Sequence, residues 1–424
     1  MLKNCILLLV LLCSFSQVQS QTSIQTKPQQ LKPAIPETVG MSTERLTRVE
    51  KWLAEESEKR HIPGSMLIVA RKGKIVYHGA VGYNDIETKE KLKKDQIFRI
   101  MSMSKAITTV AVMLLYEEGY FQLDDPVSNF IPEFKNAQVL QEYHPEDTTY
   151  TAVPAKNQAT IRHLLAHTAG IKYSHPLYYK AGIPDFFSTQ PITIGETMPK
   201  LAALPLMHEP GTKYTYGLGT DMLGYLVERV SGMRFGEFLQ KRIFTPLGMN
   251  DTGFYVKKGQ ESRLMHQYME TDDSTGVHRH NIPDEELFPV SGARTYESGG
   301  AGLTSTVLDY AKFLQMLLNG GSYNNHQLIS RKTVELMCRN QQGDVLFNDG
   351  TNQFGLGLEI ITEKGAAENA GTAGSFRWGG RNGSDYVFDP KEQFLLVWTT
   401  QVVPSRHWYF REMVRRMVYQ AIVD

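Results

Sequence analysis

Strand-forming sequence lies at both ends of this chain and helix-forming sequence lies between them, so a single sheet has to draw its strands from both termini. Near the start, Met66-Leu67-Ile68-Val69-Ala70 and Ile75-Val76-Tyr77-His78-Gly79-Ala80 flank Arg71-Lys72-Gly73-Lys74, the pattern of a β-hairpin closed by a tight glycine turn. Near the end, Phe354 to Ile361, Ser384 to Phe388 and Phe394 to Thr399 read as strands separated by turn residues. Apolar residues at helical spacing cover Arg45 to Arg60 behind a Ser42 N-cap, and the stretch from Ser102 through Leu115 to a stop at Gly119. Thr306 to Leu318, before Gly320-Gly321, and Trp408 to Ile422 follow the same pattern. From about 123 to 297, short helical patterns alternate with Pro- and Gly-marked loops, which predicts a helical subdomain. The expected class is α/β of the α+β kind, a sheet flanked by helices with an α-helical subdomain. Internal repeats are absent, which excludes solenoids and propellers.

A chain of 424 residues, 41% hydrophobic and 21% charged, can bury a large core. Lys+Arg and Asp+Glu both number 45, so no summed field draws the protein to nucleic acid or to an acidic membrane surface. Small neutral or mixed-charge molecules are the expected partners. Lys3, the apolar run Ile6 to Cys13 and Val18-Gln19-Ser20 form a signal-peptide pattern over 1–20, with a cut before Gln21. The run is too short for a permanent membrane span, and bulky Leu12 before Cys13 argues against a lipid anchor. A secreted or periplasmic protein is expected. Residues 21–36, dotted with Pro28, Pro33 and Pro36, read as a polar tether, and 37–424 as the folded domain. Removal of the signal leaves Cys338 alone, so no internal disulfide is expected.

The strongest chemical signal is Ser102-Met103-Ser104-Lys105. At a helix start, this spacing puts hydroxyl and ammonium on one face, where a buried lysine can take the serine proton. The helix N-terminus also favours negative charge forming beside Ser102. Taken alone the motif does not establish function, since Ser and Lys three apart more often mark a solvated helix turn. A second signal is Tyr214-Thr215-Tyr216-Gly217-Leu218, where a nearby cation would ease loss of a phenol proton; simple packing is the alternative. His163 and His167, four apart, would share a helix face as zinc ligands do, but the Glu of His-Glu-x-x-His is missing and no metal is expected. His278, Arg279 and His280 read as a solvated loop. The Gly-x-Ser-x-Gly elbow of another hydrolase fold is absent.

Together with Leu164-Leu165-Ala166-His167-Thr168-Ala169-Gly170, Phe244-Thr245-Pro246-Leu247-Gly248-Met249, Gly299-Gly300-Ala301-Gly302-Leu303-Thr304 and Trp378-Gly379-Gly380, these segments resemble the serine β-lactamase, D-Ala-D-Ala carboxypeptidase and related esterase superfamily. The resemblance runs from about residue 40 to 424. It implies an antiparallel sheet, an active site in the cleft between sheet and helical subdomain, and no cofactor. Ser102 matches the acylated serine, Lys105 its general base, and Tyr216 the proton-relaying tyrosine. The backbone N–H groups of Ser102 and Arg381 match the oxyanion-hole pair, and His167 a loop-shaping residue. Trp378, Gly379, Gly380 and Leu218 match substrate-binding positions, the bare glycines letting an ester lie along the strand. Tyr173, Tyr178 and Tyr179 follow the His-Thr-Ala-Gly block where the family has cleft-lining loops, and both wall and packing roles remain open.

Two positions depart from a working β-lactamase. Leu218 replaces the asparagine of Tyr-x-Asn, and Trp378 replaces the lysine of Lys-Thr-Gly that helps hold a substrate carboxylate. Both departures resemble the carboxylesterase branch, so an ester is the expected small-molecule substrate. Amide-cleaving activity (D-Ala-D-Ala carboxypeptidase, D-aminopeptidase or weak β-lactamase) is the alternative, and an inactive binder of cell-wall fragments the reading of another class. Arg377 and Arg381 flank the tryptophan. Strand alternation turns Arg377 away from the cleft as a surface charge, while the Arg381 side chain can reach the pocket rim.

Overall fold

The computed structural model describes residues 30–270, 276–280, 283–403 and 409–424; the signal-peptide pattern, Trp408 and the first part of the tether lie outside them. The central sheet follows the order Lys32–Pro33, Lys74–Asp85, Gly64–Arg71, Phe394–Thr399, Ser384–Asp389, Phe376–Gly380, Glu359–Ile360, Gln353–Phe354. All neighbours on this path pair antiparallel except Lys32–Pro33 with Lys74–Asp85. The N-terminal hairpin and the C-terminal strands join where Gly64–Arg71 pairs with Phe394–Thr399, with Trp398 opposite Leu67. The sheet thus begins inside the stretch read as a tether. Pro33 is tolerated there because an edge strand needs no donor on its open side.

Side-chain alternation gives the central strands two buried faces. Leu67, Val69, Leu396 and Trp398 pack under helices Thr43–Glu58 and Tyr409–Tyr419, which contribute Leu46, Val49, Leu53, Phe410, Val414 and Val418. Met66, Ile68, Ala70, Leu395 and Val397 turn the other way, onto helices Ser104–Glu117 and Val307–Leu318 and the helical subdomain. Ser42 and Thr306 cap their helices, each side chain accepting from the backbone N–H three residues on.

Three segments differ from expectation. Phe354 to Ile361 is two short strands, Gln353–Phe354 and Glu359–Ile360, folded on each other. Leu356 N–H bonds Met337 O and Gly357 N–H bonds Leu165 O, so the turn docks on helices instead of extending the sheet. Gly357 has φ +72°, and an added Cβ would lie 2.1 Å from Thr109 Oγ1. Gly357→Ala is therefore expected to cost about 2 kcal/mol of stability, read as a lowered denaturant midpoint at unchanged slope. Within the helical subdomain, Gln138–His144 pairs with Thr149–Pro154; its largely exposed side chains leave no apolar alternation in the sequence. Val277–Arg279 is a strand paired with Tyr268–Glu270, not a solvated loop. Arg279 is held by distant Asp85 and by nearby Glu286, and His280 is buried against Glu285 five positions on, so acidic partners, one of them long-range, override the polar local sequence.

Candidate active site

Ser102 lies in a single 3-10 turn, Met101–Met103, immediately before helix Ser104–Glu117. Met101 has φ +48°, an unfavourable conformation for a side-chain-bearing residue, and the surrounding packing holds it there. Phe98–Arg99 pairs with Thr304–Ser305, Ile100 N–H bonds Leu303 O, and Tyr310 OH donates to Met103 O at 2.8 Å. The Gly299–Thr306 block is thus stitched to the serine turn, which explains its presence in the sequence.

Lys105 is 1% exposed. Its Nζ lies 3.4 Å from Ser102 Oγ, 2.7 Å from Gly300 O and 2.5 Å from the Tyr173 hydroxyl, and 4.6 Å above the Tyr216 ring. The expected Ser102–Lys105 pair is assembled. Tyr216 meets Lys105 through its ring face, while its hydroxyl accepts from Trp378 Nε1 at 3.2 Å. Two tyrosines therefore converge on one lysine, their rings 5.3 Å apart. Gly217 permits this: a Cβ there would lie 2.3 Å from Ile171 O, so only a bare residue lets the Tyr216 loop lie against the segment carrying Tyr173. Burial first, then the neighbouring Tyr216 and Asp221, holds the Tyr173 phenol well above the usual tyrosine range.

His167 does not share a helix face with His163. Helix Ile161–Leu165 ends before it, and His167 has φ +55°. Its buried ring lies 4.8 Å from Tyr216, with burial first and Lys105 second pushing its pKa well below the usual value. His163 instead closes the capping box with Thr160. Among the described residues no group of His, Cys, Asp or Glu is arranged to hold a metal ion. Of the three downstream tyrosines, Tyr173 lines the site, Tyr178 is buried packing, and exposed Tyr179 bonds Asp185.

Beneath Lys105, Asp221 of helix Gly219–Ser231 is 1% exposed. An added Cβ on Gly300 would lie 2.6 Å from Asp221 Oδ2 and 3.4 Å from Lys105 Nζ, so the bare glycine makes room for both charges. Burial raises the Asp221 carboxyl to about 6, outweighing the Ser298 hydroxyl and Lys105, which pull it down. Folded and unfolded forms are both protonated below pH ~4; as pH rises toward 6, ionisation increasingly favours the unfolded chain. Asp221→Asn lacks this titration. Its stability is expected to rise relative to the native protein by on the order of 2 kcal/mol between pH 4 and pH 7. Denaturant midpoints at the two pH values measure it, and parallel curves would show that the fold compensates the charge. No local pattern in the sequence records the approach of Asp221 to Lys105.

Strand Phe376–Gly380 closes the site, and here and at Leu218 four assignments need correction. Leu218 is 1% exposed and packs in the core, so it offers no surface to a substrate. The bare face of Gly379 looks toward Arg411, with an added Cβ 2.6 Å from its Nη1, because alternation turns it opposite to Trp378. On Gly380 an added Cβ would lie 2.3 Å from Ser384 Oγ, 2.6 Å from Ile100 O and 3.3 Å from Met101 Cβ. The bare residue therefore brings the strand end, and the Arg381 backbone that follows, against the Ser102 turn instead of admitting an ester. Arg377 does point away from the cleft, but it is a partly buried partner of Glu359, with two bonds of 2.9 Å, not a free surface charge. Arg381 reaches the rim over Phe186 and bonds Glu285. Rings of Tyr173, Phe186, Phe187 and Phe288 continue the wall, neighbouring centroids being 4.9–6.3 Å apart.

Residues 49–415 match a family model described as Beta-lactamase. Protein Rv1367c of Mycobacterium tuberculosis is 30% identical over 81% of this chain and 87% of its own length. Esterase EstB of Burkholderia gladioli is 28% identical over 81% of this chain and 87% of its own. The solved structure of EstCE1, a hydrolase with promiscuous acyltransferase activity, superposes with TM-score 0.75 at 26% identity, covering 89% of this chain and 99% of that one.

Proposed function

Because the chain belongs to the β-lactamase family and is a serine hydrolase, we propose that it cleaves carboxylic esters through an acyl-Ser102 intermediate. The carrying observation is Trp378. Its ring lies 5.5 Å from Tyr216 and its N–H is committed to the Tyr216 hydroxyl, so this strand position offers an acyl group an aromatic plate and a carboxylate no cation. Ring-lined walls continuing through Phe186 favour a neutral, apolar acyl or alkoxy group. The similarity to Esterase EstB and to the hydrolase EstCE1 supports the same reading.

In the proposed reaction Ser102 Oγ attacks the ester carbonyl and its proton passes to Lys105. The Ser102 and Arg381 amides receive the oxyanion; one such donor is worth about 3–4 kcal/mol of barrier. The proton moves through the tyrosine pair to the leaving alkoxide as the ester C–O bond breaks, and water then cleaves the acyl-serine with the same groups acting in reverse. Tyr173, in direct contact with Lys105 Nζ, joins Tyr216 in that relay.

A p-nitrophenyl ester series beside a chromogenic cephalosporin tests the reading. Turnover of short esters with little cephalosporin cleavage is expected. Faster cephalosporin turnover would replace the ester assignment by an amide-directed one, and absence of any acylation would leave a binder of cell-wall fragments. We also propose export, on the strength of Lys3, the apolar run and Val18-Gln19-Ser20. Protein recovered outside the cytoplasm is expected to begin at Gln21 on N-terminal sequencing.

A further inference from the structure

We infer that Glu285 sets the charge preference of the cleft by holding the Arg381 guanidinium, so that removing its charge opens the site to acyl groups ending in a carboxylate. The inference rests on the esterase reading above. Arg381 combines two properties: its backbone follows the strand end pressed against the Ser102 turn, and its side chain stands at the rim, Cζ 5.3 Å from the Phe186 ring centroid. Phe186 in turn lies 5.1 Å from Tyr173, which touches Lys105. Phe186 and Tyr173 thus link this cation to Lys105, and the inference places it at the far end of a short dicarboxylic acyl chain.

That cation is already engaged. Arg381 Nη1 lies 3.0 Å from both Glu285 oxygens. Glu285 is itself fixed, its Oε2 3.0 Å from Nε2 of His280, which is 2% exposed. A carboxylate tethered in this way competes at a fixed, high effective concentration with any carboxylate brought by a substrate. Asp185 is a second acid near Arg381; burial raises its carboxyl, while the Tyr179 hydroxyl and Arg381 pull it down. Two neighbouring arginines offer no substitute. Arg99 is buried and donates to the carbonyls of Phe288, Met265 and Glu286, and Arg377 faces the other way onto Glu359. Glu285 is thus a specificity-determining residue acting through Arg381.

The experiment compares kcat/KM for mono-p-nitrophenyl glutarate with that for p-nitrophenyl valerate, chains of equal length that differ by a terminal carboxylate. Reading the ratio cancels any general change in activity. Glu285→Gln keeps an acceptor for Arg381 and His280 but no charge, and is expected to raise the glutarate-to-valerate ratio about tenfold, the scale of one hydrogen bond to a charged group. The gain is expected to vanish in Glu285→Gln/Arg381→Gln. Arg381→Gln alone is expected to move the ratio less than about twofold, since in the native protein the cation is occupied. An unchanged ratio in Glu285→Gln, or a collapse of the ratio in Arg381→Gln, would overturn the inference; the second result serves even if Glu285→Gln fails to fold. Native protein that hydrolyses neither ester fails the esterase reading alone. In that event calorimetric binding of glutarate in the Ser102→Ala background decides the matter, about tenfold tighter binding with Glu285→Gln supporting the latch and equal binding overturning it.

Discussion

Replacing Ser102 by alanine is expected to lower kcat/KM for p-nitrophenyl butyrate by about 10⁴-fold or more while leaving stability within about 1 kcal/mol. The loss is large because the hydroxyl beside Lys105 Nζ is the proposed site of the covalent bond, and without it only binding and oxyanion stabilisation remain. Stability is spared because the turn is held by other atoms: Tyr310 OH on Met103 O, Ile100 N–H on Leu303 O, and Met101 and Met103 buried in the core. Mass spectrometry of protein quenched during turnover adds an independent reading, an acyl adduct on the native chain and none on the variant. Activity within tenfold of native in Ser102→Ala would remove the serine from the chemistry.

Lys105→Met is expected to lower kcat/KM by about 10³-fold, at the upper end of what general base catalysis contributes. Methionine fills nearly the same volume but cannot take a proton. Unlike the serine change, this one carries a structural cost. Lys105 Nζ serves Gly300 O and the Tyr173 hydroxyl, and it is the positive charge facing buried Asp221. Leaving those acceptors unpaired is expected to cost about 2 kcal/mol. Adding Asp221→Asn should recover part of that stability, because the uncompensated carboxylate is gone, but none of the activity. A double variant that regained turnover would show that the lysine acts only by neutralising Asp221, and the general-base role would be lost.

What the sequence by itself determined is local. The i,i+3 spacing of Ser102 and Lys105 placed hydroxyl and ammonium together because a helical turn has a fixed pitch, whatever packs around it. The Ser42 cap, the Lys72-Gly73 turn and the buried faces of the terminal helices were readable for the same reason: each is a pattern within one element. The resemblance added the order of the blocks, and with it Tyr216 and Trp378, which the folded chain brings together. Contacts between elements were decided by the tertiary structure alone. Tyr173 reaches a lysine 68 positions away and Arg381 a glutamate 96 positions away, and no periodicity records such pairings. Leu218 and Gly379, read as substrate contacts, turned to the core and toward Arg411, because which face of a loop or strand meets the cleft depends on what covers the other face. His280 was read as solvated from its polar neighbours, yet it is buried, and Glu285 five positions on supplies the partner that water would otherwise provide.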